Sequence, residues 1–202
     1  MRKFEFNKKK AIAIVAHPDD ETIWMGGFIL KHPEINWTIF SLCRASDPDR
    51  APKFKRVCEF YKARSIIADL EDDGELNLKQ TLPIIKKIIL EKLKNKKIDY
   101  IFTHGANGEY GHERHIGIHK TVKKLIKEKT IKPEDAVFYF NYEKKDNKEF
   151  SPPKAKNKSD LLIKLNNKEF KNKKSVMTEI YGFDPFGIDA NYCANPESFI
   201  YK

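Results

Sequence analysis

A short apolar run, Ala11 to Val15, ends directly in Ala16-His17-Pro18-Asp19-Asp20-Glu21. A continuous apolar run of this length reads as a strand buried on both faces, the kind found at the centre of a parallel sheet. In open α/β sheets, ligands bind beyond the carboxyl ends of the strands. An imidazole and two adjacent carboxylates therefore stand at such an edge. One of these side chains can bind a metal while its neighbour moves a proton. Zinc takes nitrogen and oxygen donors at about 2 Å and, in catalytic sites, keeps a position open for water. This cluster can begin such a site but cannot complete it.

A second cluster, Gly108-Glu109-Tyr110-Gly111-His112-Glu113-Arg114-His115, lies about a hundred residues on and follows another strand-like run, Tyr100-Ile101-Phe102-Thr103. His119 comes four residues later, so a helix starting near His112 puts His112, His115 and His119 on one face. Of the six histidines, four fall between 104 and 119. Taken alone they read equally well as surface or helix-terminus histidines; together with His17 and Asp20 they read as the other half of a metal site.

Strands and helices alternate along the chain. Strands are expected at 11–15, 36–43, 65–70, 98–103 and 136–142, and helices at 21–31, 52–64, 78–95 and 113–129. Helix 78–95 carries Leu82, Ile85, Ile88, Ile89 and Leu93 at the helical period. Alternation of this kind implies an α/β fold, Rossmann-like, with a mostly parallel sheet covered by helices on both faces. Past 142 the composition shifts. Glu143 to Lys158 reads as an exposed loop over or beside the site, 160–165 as a short strand, Asn167 to Ile180 as a basic helix, and Tyr181 to Lys202 as an ordered but irregular tail. The tail's aromatics can fill core or wall a sugar site. The expected organisation is a single domain, 1–202, with a catalytic core at about 9–145 and a basic loop, helix and tail over 143–202.

The two clusters carry a resemblance. Ala-His-Pro-Asp-Asp-Glu at 16–21 matches without a gap a signature of the PIG-L/LmbE-like zinc-dependent N-deacetylases, and Gly111-His112-Glu113-Arg114-His115 resembles that family's second motif. Order and separation also fit. The resemblance implies zinc, or another divalent metal, held by His17, Asp20 and His115. It implies Asp19 as the general base toward the attacking water. It implies His112 facing the tetrahedral intermediate, as a cation stabilising the oxyanion or as the acid for the leaving amine. One departure stands out: Arg114 occupies a position where many members carry an acidic residue or Asn. Arginine accepts no hydrogen bond, so either it points away or Glu113 takes over in orienting His112.

Weaker signals accompany these. Arg56 and Glu59 resemble the family's R-x-x-E helix, with Arg56 a candidate for a sugar hydroxyl or a substrate carboxylate. Asp73, before Gly74, stands at the end of the third strand, where it can hold sugar hydroxyls or simply turn the chain. Glu109 is a third candidate for substrate binding. Gly26-Gly27 interrupt the first helix, where close packing or substrate approach is the expected reason. Neither a dinucleotide fingerprint nor a phosphate-loop lysine is present.

Three cysteines, Cys43, Cys58 and Cys193, have no metal or disulfide spacing and read as buried thiols. The net charge of +10 is spread over separate helices and loops without a nucleic-acid-binding motif. It reads as a lysine-rich solvated face, so no nucleic-acid partner is expected. No apolar run reaches the roughly 20 residues a bilayer span needs, and the basic start, Met1 to Lys10, lacks a signal peptide's apolar region. The expectation is a cytoplasmic enzyme, with oligomerisation left open. It removes an N-acetyl or other N-acyl group from an amino-sugar small molecule or glycoconjugate, such as an N-acetylglucosamine conjugate. The alternatives are an amidase on another sugar-linked amide and a non-catalytic, zinc-containing sugar- or anion-binding protein.

Overall fold

The computed structural model describes residues 4–93, 96–146 and 151–202. Elements follow in the order β1 (Lys10–Val15), α1 (Asp20–Lys31), β2 (Asn36–Cys43), α2 (Arg50–Phe60), β3 (Arg64–Leu70), α3 (Leu78–Leu93), β4 (Ile98–Thr103), α4 (Gly108–Gly111), α5 (Glu113–Lys127), β5 (Pro133–Phe140), β6 (Tyr142–Glu143), β7 (Lys154–Ala155), β8 (Leu161–Ile163), α6 (Asn167–Ser175), a π-helical turn (Val176–Ile180), α7 (Ile188–Tyr192) and β9 (Glu197–Tyr201). The last two residues expected in helix 78–95, and 147–150 of the expected loop, lie outside the described residues.

Seven strands form the main sheet in the order β3-β2-β1-β4-β5-β9-β8. The first five are parallel, while β9 runs antiparallel to both β5 and β8. After β1 the chain steps outward to β2 and β3, then returns to the other side of β1 as β4. The carboxyl ends of β1 and β4 thus border a crevice at the point where strand order reverses.

Side chains alternate across each strand. Ala11, Ala13 and Val15 of β1 join Trp37, Ile39, Phe102, Phe138 and Phe140 in one core, against α1, α2 and the C-terminal elements. Ile12 and Ile14 join Phe40, Ile101 and Val137 in the other, against Ile85 and Ile89 of α3 and Ile118 and Val122 of α5. No described helix is long and apolar enough to cross a membrane.

Helix α1 is buried from Asp20 through Ile29, because the sheet lies on one side and the C-terminal region on the other. Gly26-Gly27 make this close contact feasible. A Cβ on Gly27 would meet both Leu165 methyls at 2.5 Å, and one on Gly26 would meet the Tyr61 hydroxyl at 2.8 Å. The Glu197 carboxylate takes the N–H groups of Gly27 and Phe28 at 2.7 and 2.6 Å and pairs with Lys173 at 2.7 Å, both side chains fully buried. The carbonyls four residues back receive other donors: Ile23 takes the Ala194 N–H and Trp24 the Tyr142 hydroxyl. Packing against a neighbouring element, not substrate approach, is what the glycines permit.

The expected irregular tail is corrected in two respects, the first being that Ile188–Tyr192 form α7. Its last residues form β9, inside the main sheet, because Glu197 and Phe199 are needed beneath α1 and beside Phe138 and Phe140.

Candidate active site

The end of β1 is tied to its neighbours before the chain turns. The Ala16 N–H donates to His104 Nε2 at 2.9 Å, and the Ala16 carbonyl accepts the Cys43 N–H and the Ser41 hydroxyl. Asp19 then adopts φ 123°, ψ −33°. An L-residue held there costs about 1–3 kcal/mol and persists only where surroundings enforce it. They do: the Asp19 carbonyl accepts the N–H groups of Thr22 and Ile23, both at 2.8 Å, and its own N–H donates to Glu21. Glu21, fully buried, also accepts from Thr22 and from Tyr181 of the C-terminal region.

The turn faces α5 across the crevice. His17 Nδ1 lies 3.3 Å from Asp20 Oδ2 and 3.3 Å from His115 Nε2, and His115 Nε2 lies 3.4 Å from Asp20 Oδ2. These three atoms make a nearly equilateral triangle. A tetrahedral ion with arms of about 2.0–2.1 Å needs donors about 3.3–3.4 Å apart, so one face of a zinc tetrahedron fits this triangle. The outer nitrogens are occupied: His115 Nδ1–H donates to Glu109 at 2.7 Å, and His17 Nε2–H to Asp72 at 3.0 Å. A carboxylate on the far nitrogen fixes the tautomer that leaves the inner lone pair free. Asp20 is steadied in turn by Trp24 Nε1–H, which donates to Oδ1 at 2.9 Å.

The other two nearby histidines are committed elsewhere. His104, fully buried, donates from Nδ1 to Glu109 at 2.8 Å and spends its Nε2 lone pair on Ala16. His112 is the N-cap of α5, its Nδ1 accepting the Arg114 N–H at 3.3 Å. Burial first, then the neighbouring His115 and His17, push its pKa down to about 3. With Nδ1 accepting the Arg114 N–H, the arrangement favours a neutral imidazole carrying its proton on Nε2. His119 donates to the His104 carbonyl behind the site.

Glu109 is not placed to bind substrate. It is fully buried; Oε2 takes both His104 and His115, and Oε1 takes the Gly105 N–H at 2.7 Å. Burial alone would raise this carboxyl, but its histidine partners outweigh that and hold it at about 2. Its backbone at φ 58°, ψ −54° turns the side chain inward. Arg114 points away from His112. Its Nε donates to the Glu71 carbonyl, and Nη2 donates to the Glu71 carboxylate and the Leu76 carbonyl, at 2.7–2.9 Å. Glu113 does not replace it, its mostly exposed carboxylate lying 3.9 Å from the Arg114 guanidinium.

Two further placements differ from the sequence reading. Asp73 is solvent-facing and paired with Arg44, whereas its neighbour Asp72 reaches His17 and shares Arg44. Arg56 and Glu59 are exposed, because Phe54, Val57 and Cys58 form the buried stripe of α2. The guanidinium at the site is that of Arg50, at the first turn of α2. It donates to Asp19 Oδ2 at 2.8 Å and stacks on Phe183 with 4.2 Å to the ring centroid. Burial first, and Asp20 next, raise the Asp19 carboxyl well above the usual range, while His17 and Arg50 oppose them.

A cavity of about 410 Å³ opens beside the His17 and Asp20 corners of the triangle. Asp19, His17 and Asp20 line it. Tyr110, His112, Lys144, Ile188, Asp189 and Tyr192 line the rest of it, with the Tyr110 and Tyr192 rings 5.5 Å apart. The volume suits a small ligand.

Comparison with known proteins gives a fold and a family. An uncharacterized protein of Acanthamoeba polyphaga mimivirus is 27% identical over 138 residues, 59% of this chain and 57% of that protein, so the match spans little more than half of the relative. Teicoplanin deacetylase Orf2, solved in a zinc-inhibited form, superposes with a TM-score of 0.65 at 10% identity, over 95% of this chain and 97% of that one. The N,N'-diacetylchitobiose deacetylase of Pyrococcus horikoshii gives 0.60 at 14% identity, over 96% and 84%. The 4-carboxy-2-hydroxymuconate hydratase GalB of Pseudomonas putida gives 0.63 at 13%, over 96% and 95%. At these identities the likeness is one of fold, and the fold hosts more than one chemistry. The family described as PIG-L, GlcNAc-PI de-N-acetylase, matches residues 12–126. That stretch is more than half of the chain and holds every corner of the triangle, and the chain belongs to the PIG-L family.

Proposed function

We infer that the protein is a metal-dependent hydrolase that removes an N-acyl group, foremost acetyl, from an amino sugar carried on a conjugate, with zinc as the metal. The carrying observation is the donor triangle His17–Asp20–His115, with His17, Asp20 and the Asp19 carboxylate lining one cavity. A bound zinc supplies Lewis acidity toward an amide carbonyl and makes water acidic enough to lose a proton near neutral pH.

The chain's own residues do the rest. Asp19 accepts a proton from the attacking water and returns it to the nitrogen of the departing amine, which the raised basicity of its buried carboxylate favours. Arg50 fixes the direction of that carboxylate. Neutral His112 offers its Nε2–H to the oxygen on which negative charge develops. The exposed ring of Tyr110, with Tyr192 beside it, supplies a flat apolar wall on which a sugar ring can stack.

Membership of the PIG-L family supports the substrate class. The non-catalytic alternative loses its motive, since Arg114 is turned away from the reacting groups. The test is acetate release from a panel of N-acetylglucosamine conjugates, with and without a chelator. Release that the chelator abolishes and zinc restores is the expected result. Release that survives full chelation, or none from any conjugate, overturns the reading.

A further inference from the structure

The C-terminal helical elements pack on one face of the sheet. Phe170 of α6, Val176 and Met177 of the π-helical turn and Tyr192 of α7 join the core that holds Phe138 and Phe199. On the opposite face the helical side chains of the core come from α3 and α5 alone, among the described residues. A cavity of about 570 Å³ opens there, between the C-terminal half of α5 and β5. It shares no lining residue with the catalytic cavity.

Its floor is apolar and its rim is cationic. Ile131 and Val137 are buried in the floor, with Ile126 of α5 beside them. Lys123, Lys127, Lys129 and Lys132 form the rim, and none of them is ion-paired among the described residues. Asp135, the one acidic residue in the lining, is already held by Lys9 at 2.9 Å. Tyr139 adds a single polar point. It lines the cavity and is 4% exposed, yet its hydroxyl has no hydrogen-bond partner among the described residues. Buried hydroxyls are ordinarily paired, so this one is suited to a ligand. The Tyr139 ring packs against His119 with 4.9 Å between centroids. Lys123 stands at the same end, where burial lowers the His119 pKa and the Lys123 charge lowers it further. A hydroxyl and an ammonium thus meet at one end of an apolar cavity.

We propose that this cavity binds a small organic anion with an apolar body: a carboxylate on an alkyl chain of medium length. Tyr139 O–H and Lys123 Nζ donate to the two carboxylate oxygens, and the chain lies on Ile126, Ile131 and Val137. The cationic rim and the net charge of +10 work against a second copy of this chain as the occupant. The volume is that of a small-molecule site.

The test is an NMR titration of the isotope-labelled full chain with octanoate, reading the amides of Ile126, Val137 and Tyr139. Saturable shifts at these three residues are the expected result. Octanol has the chain without the charge, and acetate the charge without the chain; each should bind at least about tenfold more weakly. Tyr139→Phe, which removes one oxygen, should weaken octanoate by about tenfold, as should Lys123→Glu, while Lys123→Arg should retain it. Lys55→Glu, the same charge change on α2 across the sheet, should leave the affinity alone. Absence of saturable shifts at the three residues overturns the proposal. So does equal affinity for octanol, or an octanoate affinity that survives both Tyr139→Phe and Lys123→Glu. Shifts there that need phosphatidylserine vesicles, or that follow protein concentration with octanoate absent, overturn it in favour of a membrane surface or a second copy.

Discussion

The two histidines of the triangle hang from different parts of the molecule. His115, on α5 past the β4 end, has Glu109 behind it, fully buried and saturated with donors. His17, past the β1 end, has Asp72 behind it, on a loop at the cavity wall, sharing an oxygen with Arg44. The same device, a carboxylate on the outer imidazole nitrogen, is built once in a closed interior and once at an open edge. A buried carboxylate that accepts three N–H donors has no substitute when altered, whereas one near solvent can be replaced by water or a neighbour. The β4 side thus sets the position of the triangle, and the β1 side follows the loop above it.

The largest expected effect lies between the two sides. Asp19→Asn should lower turnover by ~10²–10⁴-fold, the usual worth of a general base, with metal content unchanged by elemental analysis. Asparagine tolerates positive φ, so the strained turn should survive. Loss of metal in this variant would place Asp19 among the donors and redraw the β1 side.

Next come the donors themselves. His115→Ala should abolish stoichiometric zinc after dialysis, since two donors remain of three. Zinc content equal to wild type would sink the assignment of the β4 side. Glu109→Gln should follow, with metal affinity reduced by about 10–100-fold, as is typical when the partner of a ligating histidine is lost. The amide brings its own N–H groups against donors already aimed at it, at a cost of about 1–3 kcal/mol per unmet group. Thermal unfolding of the metal-free variant separates that destabilisation from the change in metal affinity. An unchanged affinity would remove the contrast between the sides.

Much of this arrangement was legible in the residues. β1 and β4 are continuous apolar runs, each followed by its cluster, and the alternation of strands and helices between them implies that the two strands are parallel. What escaped was settled by one-residue or two-residue details. α2 begins at Arg50 instead of 52, which brings Arg50 and not Arg56 to Asp19. Asp72 and Asp73 are adjacent in sequence, and only the loop pinned by Arg114 on Glu71 and Leu76 decides which one faces inward. The inward turn of Glu109 depends on a positive φ that no composition rule assigns to glutamate. Lys173 and Glu197 look like surface charges until β9 enters the sheet and buries them as a pair.

The smallest expected effect tests the open side. In Asp72→Asn the side-chain oxygen can still accept the His17 Nε2–H, and Arg44 keeps Asp73 as a partner. Metal affinity, read by competition with a chromophoric chelator, should therefore fall less than about tenfold, below the usual loss for such partners. Arg114 governs the same loop from inside. Because its guanidinium holds Glu71 and Leu76 and not His112, Arg114→Asp should act on stability: a carboxylate would then face the Glu71 carboxylate in a buried setting. The expected outcome is a lower melting temperature and a lower metal affinity, with no displacement of the pH–rate profile. A displaced profile at unchanged stability would show that residue 114 reaches His112 after all. An Asp72→Asn loss as large as that of Glu109→Gln would show that both sides of the triangle are held with equal rigidity.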